Sequence, residues 1–196
     1  MSAGELQKKY PEEWNSYLTF SVVRNPWDRI ISAFCYSKRY SPHIIRNSSL
    51  LRYIGRDRYI FSHATDKMLL VDKKIGVDVV LRFERLQADF DMLCARLGLD
   101  ASSQLPHVNN GYRREHYSKH YTPFTRELIR HLYKNEIRRF GYTFEGEAAP
   151  YPFPFSNQLT TFLAFMFSLY IRGYFFLRTH RSHGKKYLLS LFMFEK

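Results

Sequence analysis

Hydrophobic and polar positions early in the chain predict a strand that runs directly into a helix. Residues 17–23 are mostly apolar or β-branched, as in a strand with a buried face. Asn25 then suits the N-cap of a helix, and Pro26 suits its first turn. After that point, apolar side chains recur three and four positions apart, as on one buried helix face: Trp27, Ile30, Ile31 and Phe34. The pattern predicts a strand–turn–helix unit with Arg24 at the junction.

A second strand and helix follow, and then a third helix. Residues 77–83 form a near-continuous apolar run of the kind found in parallel sheets. A helical stripe comes next, and Gly98 closes it: Leu86, Phe90, Leu93, Cys94 and Leu97. Residues 122–140 predict a helix with Thr122 as its N-cap, and Gly141 lies just past its end. Strands that alternate with helices favour an α/β fold, in which helices flank a parallel sheet.

The remaining segments differ from these units. Residues 1–18 predict a short helix, while residues 37–65 are basic, rich in tyrosine and irregular, which indicates an excursion over the surface. Proline then punctuates a later stretch. The chain therefore divides into an α/β domain over 1–149, a Pro-rich linker over 150–158, and a hydrophobic, then basic, tail over 159–196.

The hydrophobic part of the tail, residues 159–177, is long enough to cross a bilayer. Arg172 lies within it, and a charge in mid-span costs roughly 2.5–3.5 kcal/mol on insertion scales. Three alternatives follow: a transmembrane or interfacial helix, a hydrophobic C-terminal helix packed on the domain, and a disordered tail. The first alternative makes membrane association an expectation for this chain.

Composition narrows the class of partner. The 196 residues suit one main domain, and the formal net charge of +12 predicts an anionic partner: nucleic acid, an acidic membrane, a phosphorylated cofactor, or a sulfated or uronic polysaccharide. No pattern of an RNA-recognition motif, zinc finger or helix-turn-helix is visible, which argues against nucleic acid.

Cys35 and Cys94 lie among apolar residues and are expected to pack as small hydrophobes. His116 and His120 are four positions apart but lack further ligands, so we expect no metal site.

The junction after the first strand has the chemistry of an anion site. A helix N-terminus exposes unpaired N–H groups, and Arg24 adds a planar set of donors beside it. Ser32 lies off the apolar face of the same helix, and the two side chains together predict a phosphate clamp. In the alternative, Arg24 pairs with a nearby carboxylate and Ser32 is an ordinary surface serine. Glu84, at the end of the second strand, is interpreted either as a carboxylate that orients basic site residues or as a helix cap.

The segment VRNPWDRIISAF resembles the 3′-phosphate-binding segment of the sulfotransferases that use 3′-phosphoadenosine-5′-phosphosulfate (PAPS), in particular the membrane-associated and carbohydrate sulfotransferase group. Two later blocks are similar to the same family: LRFERLQADFDMLCARLGL, and the stretch from LPHVNNGYRREHYSKHYTPF to RRFGYTF. The resemblance implies that Arg24 and Ser32 hold the 3′-phosphate of the nucleotide. It also makes Arg113, Arg114 and Lys119 candidate nucleotide contacts, with PAPS as the donor, no metal, and a hydroxyl acceptor that we expect to belong to a glycan.

The resemblance further implies a P-loop-kinase-like fold, with the nucleotide at the carboxyl ends of the parallel strands. Family members carry a first strand and a loop similar to K-T-G/A-x-T-S, which cradles the 5′-phosphosulfate. This chain shows neither feature before Arg24, where Gly4 is the only glycine. We therefore expect a sulfotransferase domain that is truncated at its N-terminus.

Two alternatives to a truncated enzyme stay open. One is a catalytically inactive paralogue that binds nucleotide or anionic glycan at a membrane. The other is an enzyme in which a different residue substitutes, with His63, His107 and His116 as candidates; the catalytic base is otherwise unassigned. For localisation, the resemblance implies membrane association, in the Golgi lumen for a eukaryotic protein and in the cytoplasm or at the inner membrane for a bacterial one.

Overall fold

A computed structural model describes residues 1–40, 48–56, 68–100, 104–106, 115–146 and 157–180 of the chain. Two short helices come first, α1 (Ala3–Lys9) and α2 (Pro11–Ser16), in the segment for which one short helix was predicted. Ser2 and Glu5 form a reciprocal capping box at the start of α1, so two of the N–H groups that a helix leaves unpaired are satisfied locally.

The predicted strand–turn–helix unit is present. Strand β1 (Phe20–Val23) begins three residues later than predicted, and helix α3 (Pro26–Tyr40) follows it. The Asn25 Oδ1 accepts a hydrogen bond from the Trp27 N–H at 3.1 Å, which confirms Asn25 as the N-cap. All four residues of the predicted apolar face are buried: Trp27, Ile30, Ile31 and Phe34.

The segment predicted as a surface excursion instead contributes to the core, and this prediction was wrong. Helix α4 (Leu50–Arg56) lies within it, and Leu50, Tyr53 and Ile54 are buried. These side chains are three and four positions apart, so one face of even this short helix can pack on the core. The Tyr53 ring lies 5.1 Å from that of Phe34, which joins α4 to α3.

A hairpin that the sequence pattern did not reveal precedes the second predicted strand. Its strands are β2 (Leu70–Val71) and β3 (Lys74–Ile75), which pair antiparallel. The turn residues Asp72 and Lys73 both have positive φ, at 48° and 66°. Positive φ at both turn positions is the backbone of the tightest two-residue hairpins, here made without glycine.

The second predicted strand is β4 (Val79–Arg82), and it pairs in parallel with β1. A 3₁₀ turn (Phe83–Arg85) leads from it into helix α5 (Leu86–Arg96), and Gly98 adopts a left-handed φ of 68° just beyond. Parallel pairing with helices before and after it agrees with an α/β fold. Two strands form this sheet in the described part of the chain, so the larger kinase-like sheet stays a prediction.

The helix predicted over residues 122–140 is in fact two helices, α6 (Pro123–Leu132) and α7 (Lys134–Phe140). Thr122 is the N-cap of α6, as predicted, and Gly141 closes α7 with a φ of 64°. The break falls at Tyr133, whose buried ring lies beneath the Arg29 guanidinium at 5.2 Å.

The last described element is helix α8 (Asn157–His180), which packs along α6. The Arg172 Nη2 donates to the carbonyl oxygens of His131 and Leu132 at 2.8 and 2.9 Å, and the Phe167 ring lies 6.0 Å from that of Phe124. This is the packed C-terminal helix that the sequence left as one alternative. Among the described helices, none combines the length and the hydropathy that a bilayer crossing requires.

The predicted domain boundaries stay a prediction. Helix α8 begins at Asn157, within the predicted linker, while the proline-rich residues 150–156 and the basic residues 181–196 lie outside the described part of the chain.

Candidate functional site

The candidate site lies where the carboxyl ends of β1 and β4 meet. Val23 is the register partner of Arg82, so the next residue of each strand, Arg24 and Phe83, leaves the sheet side by side. The Arg24 guanidinium lies over the Phe83 ring, 4.0 Å from its centroid. The carboxyl edge of a parallel sheet is where α/β proteins bind their ligands, and the predicted anion-binding residue stands at this edge.

Arg24 is held by a carboxylate from the first turn of α3. Its Nε donates to the Asp28 Oδ2 at 2.7 Å, and both side chains are largely buried. This ion pair is the arrangement that the alternative interpretation of Arg24 described. Asp28 takes only the Nε–H, however, and no described residue accepts from the Nη groups. The pair therefore fixes the plane of the guanidinium and leaves the two Nη groups, which can bind an anion through two parallel hydrogen bonds, without an acceptor among the described residues.

Ser32 follows Asp28 by one helical turn on α3 and is half-buried. Residues four apart lie on the same side of a helix, separated by about 6 Å along the axis. Asp28 and Ser32 therefore share one side of α3, and Asp28 holds the Arg24 side chain at the start of this helix. No described residue hydrogen-bonds the Ser32 hydroxyl.

Glu84 joins the second strand to the start of α3. Its Oε1 accepts from the Asn25 backbone N–H at 2.5 Å, and its Oε2 accepts from the Tyr142 hydroxyl at 3.3 Å. The predicted pairing of Glu84 with basic site residues is absent from the described contacts, so its observed role is closer to the capping alternative. Burial and the Glu84 carboxylate together raise the pKa of Tyr142 well above its usual range, which keeps this phenol protonated.

Residues 142–145 close another side of the site. The buried Asn25 side chain donates through Nδ2 to the Thr143 carbonyl at 3.0 Å. The Tyr117 hydroxyl accepts from the Glu145 N–H at 2.7 Å. Burial raises the pKa of Tyr117, and the carboxylates of Glu145 and Asp28 raise it further. Tyr117 is therefore a neutral phenol.

The aromatic ring of Phe144 packs between α3 and the 3₁₀ turn that contains Tyr117. Its centroid lies 5.5–5.6 Å from the rings of Trp27, Tyr117 and Tyr121, in each case edge to face. The Tyr121 hydroxyl also donates to the Trp27 carbonyl at 2.9 Å. The first turn of α3 is thus fixed from two directions, so any ligand at its N-terminus meets a preformed surface.

Of the other predicted site residues, Lys119 is exposed on a 3₁₀ turn (Tyr117–His120) that packs against α3. His116 caps this turn, because its imidazole accepts from the Ser118 N–H. Arg113 and Arg114 lie outside the described residues, as do His63 and His107.

The donor set fits a tetrahedral anion. The Nη groups of Arg24, for which no described residue is an acceptor, and the Ser32 hydroxyl are hydrogen-bond donors. Of the two side chains, Arg24 lies at the start of α3, near the positive end of the helix dipole. The Asp28 charge opposes a bound anion but also holds Arg24 in place. Neither Asp28 nor Tyr117 was predicted as a site residue; the spacing of four residues between Arg24 and Asp28 was the available signal for the ion pair.

One of the comparisons with known proteins identifies a family. A model of the sulfotransferase family matches residues 3–143, and these include every site residue described above except Phe144 and Glu145. An uncharacterized protein of Archaeoglobus fulgidus is 29% identical over 90 residues, which cover 44% of this chain and 72% of that relative. The search of solved structures found no match.

Proposed function

Because the chain belongs to the sulfotransferase family, we propose that it transfers a sulfuryl group from PAPS to a hydroxyl, with a carbohydrate as the acceptor. The observation that carries the proposal is the Arg24–Asp28 pair at the end of β1. It presents a pre-oriented guanidinium, with its Nη groups available, at the sheet edge where nucleotides bind in α/β folds.

Arg24 and Ser32 are assigned to the 3′-phosphate of the donor. A charge-assisted hydrogen bond to such a group contributes roughly 1.5–3 kcal/mol. Asp28 prevents the long arginine side chain from sampling other rotamers, so less entropy is lost when the phosphate binds. Phe83 supports the guanidinium from one face and excludes water from it.

PAPS supplies the sulfuryl group, which passes to the acceptor oxygen as its bond to the 5′-phosphate breaks. The residues described here act at the other phosphate: Arg24 and Ser32 bind it, and Glu84 and Asn25 keep the start of α3 in register with β4. Binding one end of the donor restricts the positions that its reacting end can occupy. In this way the binding free energy at the 3′-phosphate helps to orient the sulfuryl group. The base that accepts the hydroxyl proton is not among the residues assigned.

The binding half of the proposal is tested with two nucleotides that differ by one group. Titration calorimetry with 3′,5′-adenosine bisphosphate and with 5′-adenosine monophosphate isolates the contribution of the 3′-phosphate. Wild type should prefer the bisphosphate, and Arg24→Ala should lose roughly 1.5–3 kcal/mol of binding to the bisphosphate alone. The matched control is Arg85→Ala, since Arg85, in the 3₁₀ turn after β4, is also paired with a carboxylate four residues on, Asp89.

Two results would show that Arg24 does not bind the 3′-phosphate. One is an equal loss of binding free energy in Arg24→Ala and Arg85→Ala. The other is a loss in Arg24→Ala that is the same for both nucleotides. The transfer half is tested separately, by following labelled sulfate from PAPS into a panel of glycans. If the chain binds nucleotide but forms no sulfated product at saturating PAPS, the nucleotide site is supported and sulfuryl transfer is refuted. The protein would then be a nucleotide-binding protein without transferase activity.

A further inference from the structure

Helix α8 turns its small and polar side chains towards the protein. The residues buried on its inner face recur three or four apart and pack on α6: Thr160, Ala164, Ser168 and Ile171. The hydroxyl of Ser168 is satisfied within the helix, by the Phe165 carbonyl at 2.7 Å. Small side chains allow α8 to approach α6 closely, but they bury little apolar area.

Most of the large apolar side chains of α8 point the other way, while Phe165, Phe167 and Ile171 contact the protein. Eight of them, between 41% and 65% exposed, recur at helical spacing along the outer face: Leu159, Phe162, Leu163, Met166, Leu169, Tyr170, Tyr174 and Leu177. They form a stripe about 27 Å long. A helix on the surface of a water-soluble domain shows the opposite order, with its apolar side inwards. A continuous exposed apolar face of this size marks an interaction surface.

The stripe carries no charged side chain among the described residues of α8. Arg172, the one arginine within it in sequence, lies on the inner side, where its Nη2 donates to the carbonyls of His131 and Leu132. The sequence beyond the stripe is strongly basic, with Arg178, Arg181, Lys185 and Lys186, and no acidic residue occurs between Glu147 and Glu195.

We propose that the outer face of α8 binds the surface of an anionic membrane, with the helix lying in the interface; the positive charge of the sequence that follows favours acidic lipid. An amphipathic helix with leucine and phenylalanine on one face and basic residues nearby is the type that binds in this way. Tyrosines at the stripe, Tyr170 and Tyr174, suit the level of the headgroups, where an aromatic ring with a polar tip is favoured.

Charge decides between a membrane and a second copy of the chain as the occupant. Each chain carries a formal net charge of +12, and pairing two α8 helices would bring their basic ends towards each other or leave them unneutralised. Anionic lipid neutralises them, at about 1 kcal/mol for each Lys or Arg near the surface. The inference goes beyond the proposed function and involves none of the residues of the nucleotide site.

The test is co-sedimentation of the full chain with vesicles, in the absence of nucleotide. Vesicles of phosphatidylcholine containing about 30% phosphatidylserine should bind the protein, and pure phosphatidylcholine should bind it less. The double variant Met166→Glu, Tyr170→Glu places two charges on the stripe and should weaken binding by at least about tenfold. The matched control is Met92→Glu on α5, because Met92 is 61% exposed and Met166 48%; this variant should bind like wild type.

Three results would overturn the proposal. The first is a wild-type chain that binds neither kind of vesicle. The second is a double variant that binds as well as Met92→Glu while its circular dichroism shows a native helix content. The third is a dimer by sedimentation that becomes monomeric in the double variant without any vesicle binding, which would assign the stripe to a second copy.

Discussion

Glu84 and Asn25 lie 59 residues apart in sequence, and the Glu84 Oε1 accepts a hydrogen bond from the Asn25 backbone N–H over 2.5 Å. The bond ties the turn after β4 to the N-cap of α3, directly beside Arg24. Since β1 and β4 pair through only four residues each, this contact extends their alignment past the end of the sheet. Glu84 thereby helps to place the guanidinium that we assign to the donor phosphate.

Replacing Glu84 should therefore cost both stability and nucleotide affinity. Glu84→Ala removes the acceptor for the Asn25 N–H, and we expect the free energy of unfolding to fall by about 1 kcal/mol, because the carboxylate is partly solvated. Glu84→Gln keeps an acceptor oxygen and should recover most of that loss. Urea unfolding measures the stability, and titration with 3′,5′-adenosine bisphosphate measures the affinity. The control is Glu115→Ala, an exposed carboxylate; if it behaves like Glu84→Ala, the effect reflects net charge alone.

Arg29 and Glu136 form a bidentate ion pair. Both Nη groups of Arg29 donate to the two carboxylate oxygens of Glu136, at 2.5 and 2.9 Å. Glu136 is almost completely buried. Burial would lower the pKa of Arg29, but the Glu136 carboxylate outweighs it and raises the pKa overall. The pair joins α3 to α7 and also holds the Tyr133 ring at the break between α6 and α7.

Removing one partner of this ion pair should lower the free energy of unfolding more than replacing both partners with apolar residues. Glu136→Leu takes the carboxylate partner away from the largely buried Arg29 charge, and we expect the free energy of unfolding, measured in urea, to fall by about 3 kcal/mol. The double variant Arg29→Met, Glu136→Leu replaces both charges with apolar groups of similar size and should be more stable than Glu136→Leu alone. Arg138→Met, at an exposed position of α7, should change stability by less than about 0.5 kcal/mol. A double variant less stable than Glu136→Leu would contradict this account.

Features that depend on neighbouring residues were predictable from the sequence. The N-caps at Asn25 and Thr122 rest on residue types within one turn, and so does the left-handed glycine at Gly141. All four apolar residues predicted on the buried face of α3 are buried, because their spacing is long and regular, while the burial of Asp28 was not predicted. Helix α4 was missed since its apolar spacing covers only seven residues, between segments rich in turn signals.

Contacts between distant segments could not be predicted in this way. No periodicity reveals that Glu84 binds the Asn25 N–H, or that Tyr117 binds the Glu145 N–H, because tertiary packing alone brings them together. The anion site was predicted in part: Arg24 lies at the strand end as expected, while the arrangement of its carboxylate partner required the structure. The two faces of α8 likewise become distinct only once the helix is seen against α6.

His131 lies in the interface between α6 and α8. Its ring is 5.4 Å from that of Phe165, and its Nε2 is buried with no hydrogen-bond partner in the described residues. Burial lowers the pKa of His131, and the nearby charges of Arg130 and Lys134 lower it further. The Glu127 carboxylate and the Thr161 backbone on α8 act in the opposite direction but do not reverse the shift. Arg172, also on α8, binds the His131 carbonyl.

Acid should therefore weaken the packing of α8 on α6. The folded state holds His131 neutral at a pH where the unfolded chain is already protonated, so stability is fully present above the unfolded pKa of about 6.5 and is lost as the pH falls below it. We expect urea unfolding between about pH 8 and pH 5 to show a decline in wild type that is smaller in His131→Gln, whose amide does not titrate. If His131→Gln loses stability with acid as steeply as wild type does, the imidazole in the interface is not the group responsible, and carboxylates elsewhere account for the decline.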